Sequence, residues 1–301
     1  MFPPLGNLTD LRLASPPARV VSLVPSLTGS LFDLGLGSRL VGRTDYCVYP
    51  PGQVESVPRI GGTKNPAVER ILALQPDLVL ANWEENHRAD VEAIEAAGVP
   101  VWTTLPRTAR DALNLLWALI RLFDWPAAGQ SLAALERSCE ITSLAAESAA
   151  PVRVFCPIWR EPAAEAGPVQ WWMTANSSTY LHDVLRICGG LNVFADRDRR
   201  FPLAADLDLT SHSPEPPTPD RDTRYPRVTP AEVAPLQPDV ILLPSEPYPF
   251  AAADLNAFDD FPEIPAVAQG RIVLADGAAL TWPGTHLARA LADLPALLAR
   301  D

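Results

Sequence analysis

The sequence predicts an α/β protein of two Rossmann-like lobes, each on a mostly parallel sheet, joined by one long backbone helix. Three observations carry this. Residues 71–80 read ILALQPDLVL and residues 233–242 read VAPLQPDVIL. Both are an apolar helical turn, then Leu-Gln-Pro-Asp, then a strand of buried type. Repeats of a solenoid recur every ~20–50 residues, so the far larger offset here means two similar lobes. Short apolar strands alternate with helical patterns through both halves, the order that yields parallel sheets. Between the halves, residues 126–148 hold helical spacing without a break; at ~1.5 Å per residue such a helix is ~35 Å long. The expected division is an N-terminal lobe at 18–124, a linking helix at 125–150 and a C-terminal lobe at 151–301.

The elements follow in order. RVVSLV (19–24) is a short apolar strand, and SLTGSLFDLGLG (26–37) a helix with Ser26 or Thr28 as N-cap and Gly35 or Gly37 as its stop. Pro76 ends a helix before strand DLVLAN (77–82). NHRADVEAIEAAG (86–98) is a helix capped by Asn86, followed by strand VPVWTT (99–104) and the amphipathic helix RTARDALNLLWALIRLF (107–123). Pro126 suits the first turn of the linking helix. The second half opens with strand VRVFCPIW (152–159), strand WWMT (171–174) and helix STYLHDVLRICGG (178–190). Residues 195–230, rich in Asp, Arg and Pro, are too long and polar for core and read as a functional or partly ordered loop. Strands DVILLP (239–244) and RIVLAD (271–276) and a helix at 283–300 close the chain.

Composition narrows the function. Of 301 residues, 24 are basic and 36 acidic, a net charge of −12. That balance opposes a nucleic-acid grip, which needs clustered positive charge to release counterions. No stretch holds ~18 consecutive apolar residues, so no membrane span is expected, and no secretory leader is visible in the first residues. Cys47, Cys139, Cys156 and Cys188 are far apart without a CxxC, which argues against a zinc cluster and for buried reduced thiols. The four histidines form no HExxH or i, i+4 pair, so surface or capping roles are expected and no metal site. No GxSxG elbow, P-loop or correctly placed Rossmann fingerprint is present, so no catalytic residue is assigned and the chain is expected not to be an enzyme.

Several stretches together resemble a known family: RVVSLVPSLT, VGRTDYCVYPP, ERILALQPDLVLA, LHDVLRICGGLNVF and TWPGTHLARAL. They resemble the helical-backbone substrate-binding proteins of ABC importers for iron-siderophores and cobalamin, also called class III, over roughly residues 18–300. The cobalamin-binding members are the most similar of these. The resemblance implies two α/β lobes, a joining helix and a ligand in the cleft between the lobes: a corrinoid such as cobalamin, or a ferric chelate, carried as cargo with no cofactor. It further implies a monomer that delivers its ligand to permease subunits. It places the protein in the periplasm or at the cell surface, against a cytoplasmic location if the chain starts as written. The alternative is a cytosolic corrinoid or tetrapyrrole chaperone, or a salvage enzyme, on the same fold.

Ligand-binding candidates follow from the resemblance and from the fit of flat aromatics at strand ends to a planar ligand. Tyr46 lies in GRTDYCVYP, and Trp83 follows strand LVLAN with Glu85 beside it. Tyr225 stands where cobalamin binders of the family place a tryptophan. Trp282 precedes the last helix. A further family aromatic falls in GGTKNP, where this chain carries Lys64 instead. Trp159 and Trp172 complete the set, while Trp102, Trp117 and Trp125 are assigned to packing. Arg43, Arg160 and Arg224 are candidates to pair with ligand carboxylates. The family docks on its permease through one glutamate per lobe; Glu69 matches the first position. In the second lobe Ala231 takes the aligned place and Glu232 follows one residue later, a turn of ~100° around a helix.

Overall fold

The computed structural model describes residues 5–299 apart from Arg12, Thr210, Pro217, Pro219 and Asp220. Arg300 and Asp301, the ends of the expected last helix and lobe, lie outside the described residues. The described chain forms two compact units. One holds the residues up to Arg137 together with Trp282–Leu287; the other holds Ser138–Thr281 and the residues from Ala288 onward. The expected boundaries change accordingly. The division falls inside the linking helix, residues 282–287 return to the first unit, and that unit begins before residue 18. Leu5–Asp10 is fastened there by Asn7, which donates to the Val101 carbonyl (2.9 Å) and accepts from the Thr103 N–H (3.0 Å).

The first unit runs β1 (Val20–Ser22), α1 (Pro25–Asp33), β2 (Leu40–Arg43), α2 (Val68–Ala73), β3 (Leu78–Asn82), α3 (Arg88–Ala96), β4 (Val101–Thr104) and α4 (Ala109–Leu122), then enters α5 (Gly129–Glu147). Its sheet is parallel throughout, in the order β2-β1-β3-β4. Continuous apolar runs are what such strands need, because helices cover both faces, and all of β3 is buried. Thr108 caps α4: its hydroxyl accepts from the Asp111 N–H, and the Asp111 carboxylate accepts from the Thr108 N–H. Asn86, expected to cap α3, does not; His87 holds that position. Helix α1 starts on Pro25 with Val24 as its N-cap residue, not Ser26 or Thr28, since proline fits a first turn that has no amide partner to lose.

The second unit takes the end of α5, then β5 (Val152–Phe155), β6 (Trp159–Glu161), β7 (Trp171–Met173), α6 (Tyr180–Ile187), β8 (Gly190–Asn192), α7 (Leu203–Asp206), β9 (Arg227–Val228), α8 (Pro230–Val233), β10 (Val240–Pro244), α9 (Pro265–Ala268), β11 (Ile272–Ala275), α10 (Gly277–Thr281) and α11 (Leu287–Leu298), whose first residue belongs to the first unit. Its main sheet is also parallel, ordered β11-β10-β5-β8. Counted within each parallel sheet, both place the second strand, the first, the third and the fourth side by side. The duplicated Leu-Gln-Pro-Asp is therefore the helix-to-third-strand joint of a duplicated topology. A second sheet, β6-β7-β9, is antiparallel and packs on a core of Phe155, Phe194, Phe250 and Phe258.

The described residues of the polar segment 195–230 are not a loose loop. They are organised around Asp206, which is fully buried. The Asp206 carboxylate accepts from Arg197 Nη1 (3.0 Å), the Arg200 N–H (2.9 Å) and the Arg227 N–H (2.8 Å). A buried carboxylate is tolerated when it is paired and hydrogen-bonded in this way. All four cysteines are free and buried.

Candidate functional site

In open parallel sheets, ligands bind beyond the carboxyl ends of the strands, where the connections diverge. In both units that point lies between the first and third strands. In the first unit β1 is followed by Leu23–Val24 and β3 by Trp83–Asn86. Asn86 ties these loops together. Its Oδ1 accepts from the Asn82 N–H (2.8 Å), and its Nδ2 donates to the carbonyls of Leu23 (3.3 Å) and Thr63 (3.0 Å). The sequence reading missed this role because Asn at a helix start looks like a cap. Lys64 Nζ donates to the Glu84 carbonyl, which lays the lysine across the same turn. Trp83 and Glu85 are half-buried there. Tyr46, beyond β2, is 64% exposed. The Asp45 N–H donates to Gly61 (2.8 Å), and a Cβ on Gly62 would stand 3.5 Å from the Tyr46 ring. Tyr46, Lys64, Trp83 and Glu85 thus share one loop cluster at the carboxyl end of the sheet.

Trp282, half-buried, belongs to this unit as well. Its ring centroid is 4.9 Å from His286, whose imidazole meets Tyr49 edge-on at 4.7 Å. The Thr285 hydroxyl donates to Asp33 (2.6 Å) and its N–H to Ser30 Oγ (3.2 Å), so the segment is pinned on α1. His286 is buried. The expectation of surface or capping histidines fails for it, because the glycine at position 29 opens the space its ring occupies.

In the second unit β5 is followed by Cys156–Ile158 and then Trp159, and β10 by Ser245–Phe250. Across this divergence Trp159, 39% exposed, packs edge-on against Tyr248 with centroids 5.6 Å apart. The Tyr248 N–H donates to Ile158 (3.2 Å) and its hydroxyl accepts from the Ala164 N–H (3.3 Å). Tyr248 was not anticipated; only the pairing of β5 with β10 reveals it. Tyr225 is half-buried beneath the Arg224 guanidinium, 5.5 Å from its ring centroid.

Trp172 is a correction. It is fully buried, pairs across the sheet with Arg160 and stacks on Phe258 at 4.6 Å. Side chains alternate along a strand, so Trp172, Arg160 and Val228 face the core while Trp171, Met173, Trp159 and Arg227 take the outer face. The outward tryptophan of the pair is Trp171.

Glu69 is exposed in the first turn of α2. Glu232 is a second correction: both its carboxylate oxygens are engaged. One accepts from the Thr229 N–H (3.0 Å) and the other from Arg197 Nε (3.3 Å), so it closes its own helix start and is not a free docking group. The three arginine candidates are likewise occupied. Arg43 is buried, donating to the carbonyls of Val54, Thr44 and Cys47. Arg160 forms a buried pair with Asp254 (2.6 Å), and Arg224 pairs with Asp222 (2.7 Å).

Comparison with known proteins agrees with this fold. The profile of the family described as "Periplasmic binding protein" matches residues 20–279. A vitamin B12-binding protein of Vibrio parahaemolyticus is 31% identical over 212 residues, 69% of this chain and 72% of the relative. Among solved structures, the periplasmic vitamin B12-binding protein of Vibrio cholerae superposes with a TM-score of 0.72 at 22% identity, over 94% of this chain and 97% of that one. The periplasmic heme-binding protein of Roseiflexus sp. RS-1, in its apo form, gives 0.71 at 22% identity, over 93% and 97%. No described helix is long and apolar enough to cross a membrane.

Proposed function

The chain belongs to the periplasmic binding protein family, and from that premise we propose that it binds a planar, ring-shaped metal chelate, a corrinoid above all, outside the cytoplasm and passes it to an ABC importer. The observation that carries the reading is the placing of flat aromatic groups at equivalent points of both units. Trp83 follows the third strand of one, and Trp159 with Tyr248 follows the first and third strands of the other. Aromatic faces at such points supply apolar contact and stacking to a macrocycle without demanding a particular hydrogen-bond pattern. The vitamin B12-binding relative favours a corrinoid within that class. The protein acts by binding and release, as a monomer without a cofactor, and Glu69 is the exposed carboxylate suited to an arginine of a permease.

Titration of the purified protein with cyanocobalamin, dicyanocobinamide, hemin and a ferric siderophore, followed by tryptophan fluorescence and calorimetry, tests this. Micromolar or tighter binding of a corrinoid is expected. Affinity no better than millimolar for all four ligands refutes the reading.

A further inference from the structure

Segment 197–227 brings six arginines onto the second unit, and four of them meet carboxylates. Arg197 pairs with Asp206 and Glu232, Arg200 with Asp208, Arg221 with Glu215 and Arg224 with Asp222. Arg199 and Arg227 form no ion pair among the described residues. The Arg199 guanidinium rests on Phe201, 4.3 Å from the ring centroid, and that of Arg227 lies 5.8 Å from the Trp171 centroid. Nε and Nη1 of Arg227 are buried with no acceptor among the described residues.

Asp206 is the carboxylate whose field reaches both. Its oxygens, however, are given to Arg197, to the Arg200 N–H and to the backbone, not the side chain, of Arg227. Burial, with the charge of Arg199 next, holds Arg227 below the usual arginine range, and burial does the same to Arg199. Asp222 also acts on Arg199 at a distance, but two neighbouring guanidiniums, partly desolvated and with no ion pair among the described residues, offer a local positive potential that an incoming anion relieves. Their position connects them to the ligand face. Arg227 shares the outer face of the small sheet with Trp171 and Trp159.

We propose that Arg199 and Arg227 form an oxyanion subsite that takes a peripheral carboxylate of the bound chelate. This deepens, and rests on, the reading of the aromatic face as a macrocycle site. The preferred cargo is then a chelate bearing carboxylates at its rim rather than amides.

The test compares dicyanocobyrinic acid with dicyanocobinamide, which share a corrin ring but carry carboxylates and amides respectively, at low salt. The wild type is expected to bind the acid at least ~10-fold more tightly, worth about 1.4 kcal/mol. The Arg199→Gln/Arg227→Gln double variant is expected to lose that preference while keeping its affinity for the amide. Arg227→Lys, which keeps the charge, retains part of it, and circular dichroism confirms that each variant is folded. Equal binding of both corrinoids by the wild type, or a preference unchanged in the double variant, overturns the subsite. Thermal stabilisation by inorganic phosphate is measured in parallel. If neither corrinoid binds but phosphate stabilises the wild type and not the double variant, the subsite stands and the macrocycle reading falls. If phosphate has no such effect either, both fall.

Discussion

Trp171 and Trp172 are adjacent and have opposite environments, because a one-residue step along a strand exchanges the core face for the outer face. Trp172→Ala is expected to cost about 3–5 kcal/mol, as for other large buried aromatics, whereas Trp171→Ala stays within about 1 kcal/mol; urea denaturation of the two variants checks the contrast. Asp222 offers a second residue-level test. Burial pushes its carboxyl up, but the Arg224 side chain and N–H outweigh this and hold it below the usual carboxylate range. A carboxylate with a depressed folded pKa stabilises the protein above its ordinary value of ~3.9, and that contribution is lost as pH falls through the folded value. Asp222→Asn should therefore lower stability at pH 7, and the difference should shrink progressively as pH falls below the ordinary carboxylate range. A constant difference across that range contradicts the assignment.

The duplicated Leu-Gln-Pro-Asp shows how a short element is written twice. In the first unit the Asp77 N–H donates to the Arg19 carbonyl, the Asp77 carboxylate accepts from the N–H groups of Ala18 and Arg19, and the Arg19 guanidinium donates to the carbonyls of Leu74 and Gln75. In the second, Asp239 and Arg153 repeat the Asp–Arg contacts and the guanidinium's bonds, here to Leu236 and Gln237, while the Val152 N–H, which stands where Ala18 does, donates to Gly189 instead. Gln75 and Gln237 both take left-handed backbone, with φ of 50° and 46°, which turns the chain out of its helical segment ahead of the proline. Each Asp thus fastens the third strand to the first. Asp77→Ala and Asp239→Ala are each expected to cost about 0.5–1.5 kcal/mol by removing hydrogen bonds that fasten the start of the first strand. Lying in separate units with no shared partner, their effects should add in the double variant. Thermal denaturation of the three proteins reads this directly, and a strongly unequal pair means that one joint is held by other contacts.

Over the whole molecule, burial governs the cysteines. Desolvation pushes the Cys156 and Cys188 thiols up to about 12 and raises Cys47, and Cys139 is buried too. Since the thiolate is the reactive form, the native protein at pH 8 should give no fast reaction with a thiol reagent such as Ellman's, and all four should react after unfolding. A rapidly titrating thiol in the native state contradicts this. The α/β class, the two units and the long helix were legible in the chain, because apolar period, proline punctuation and the repeated Leu-Gln-Pro-Asp are local properties that survive without three-dimensional context. Which aromatic of Trp171–Trp172 faces out, the pairing of Trp159 with Tyr248, the use of Asn86 as a tie between loops and the closure of Glu232 on its own helix were not legible. Each depends on strand register or on contacts between residues far apart in sequence. The same holds for Arg199 and Arg227: the sequence marks six similar arginines in one polar run, and only folding around Asp206 separates the four that are paired from the two that have no ion pair among the described residues.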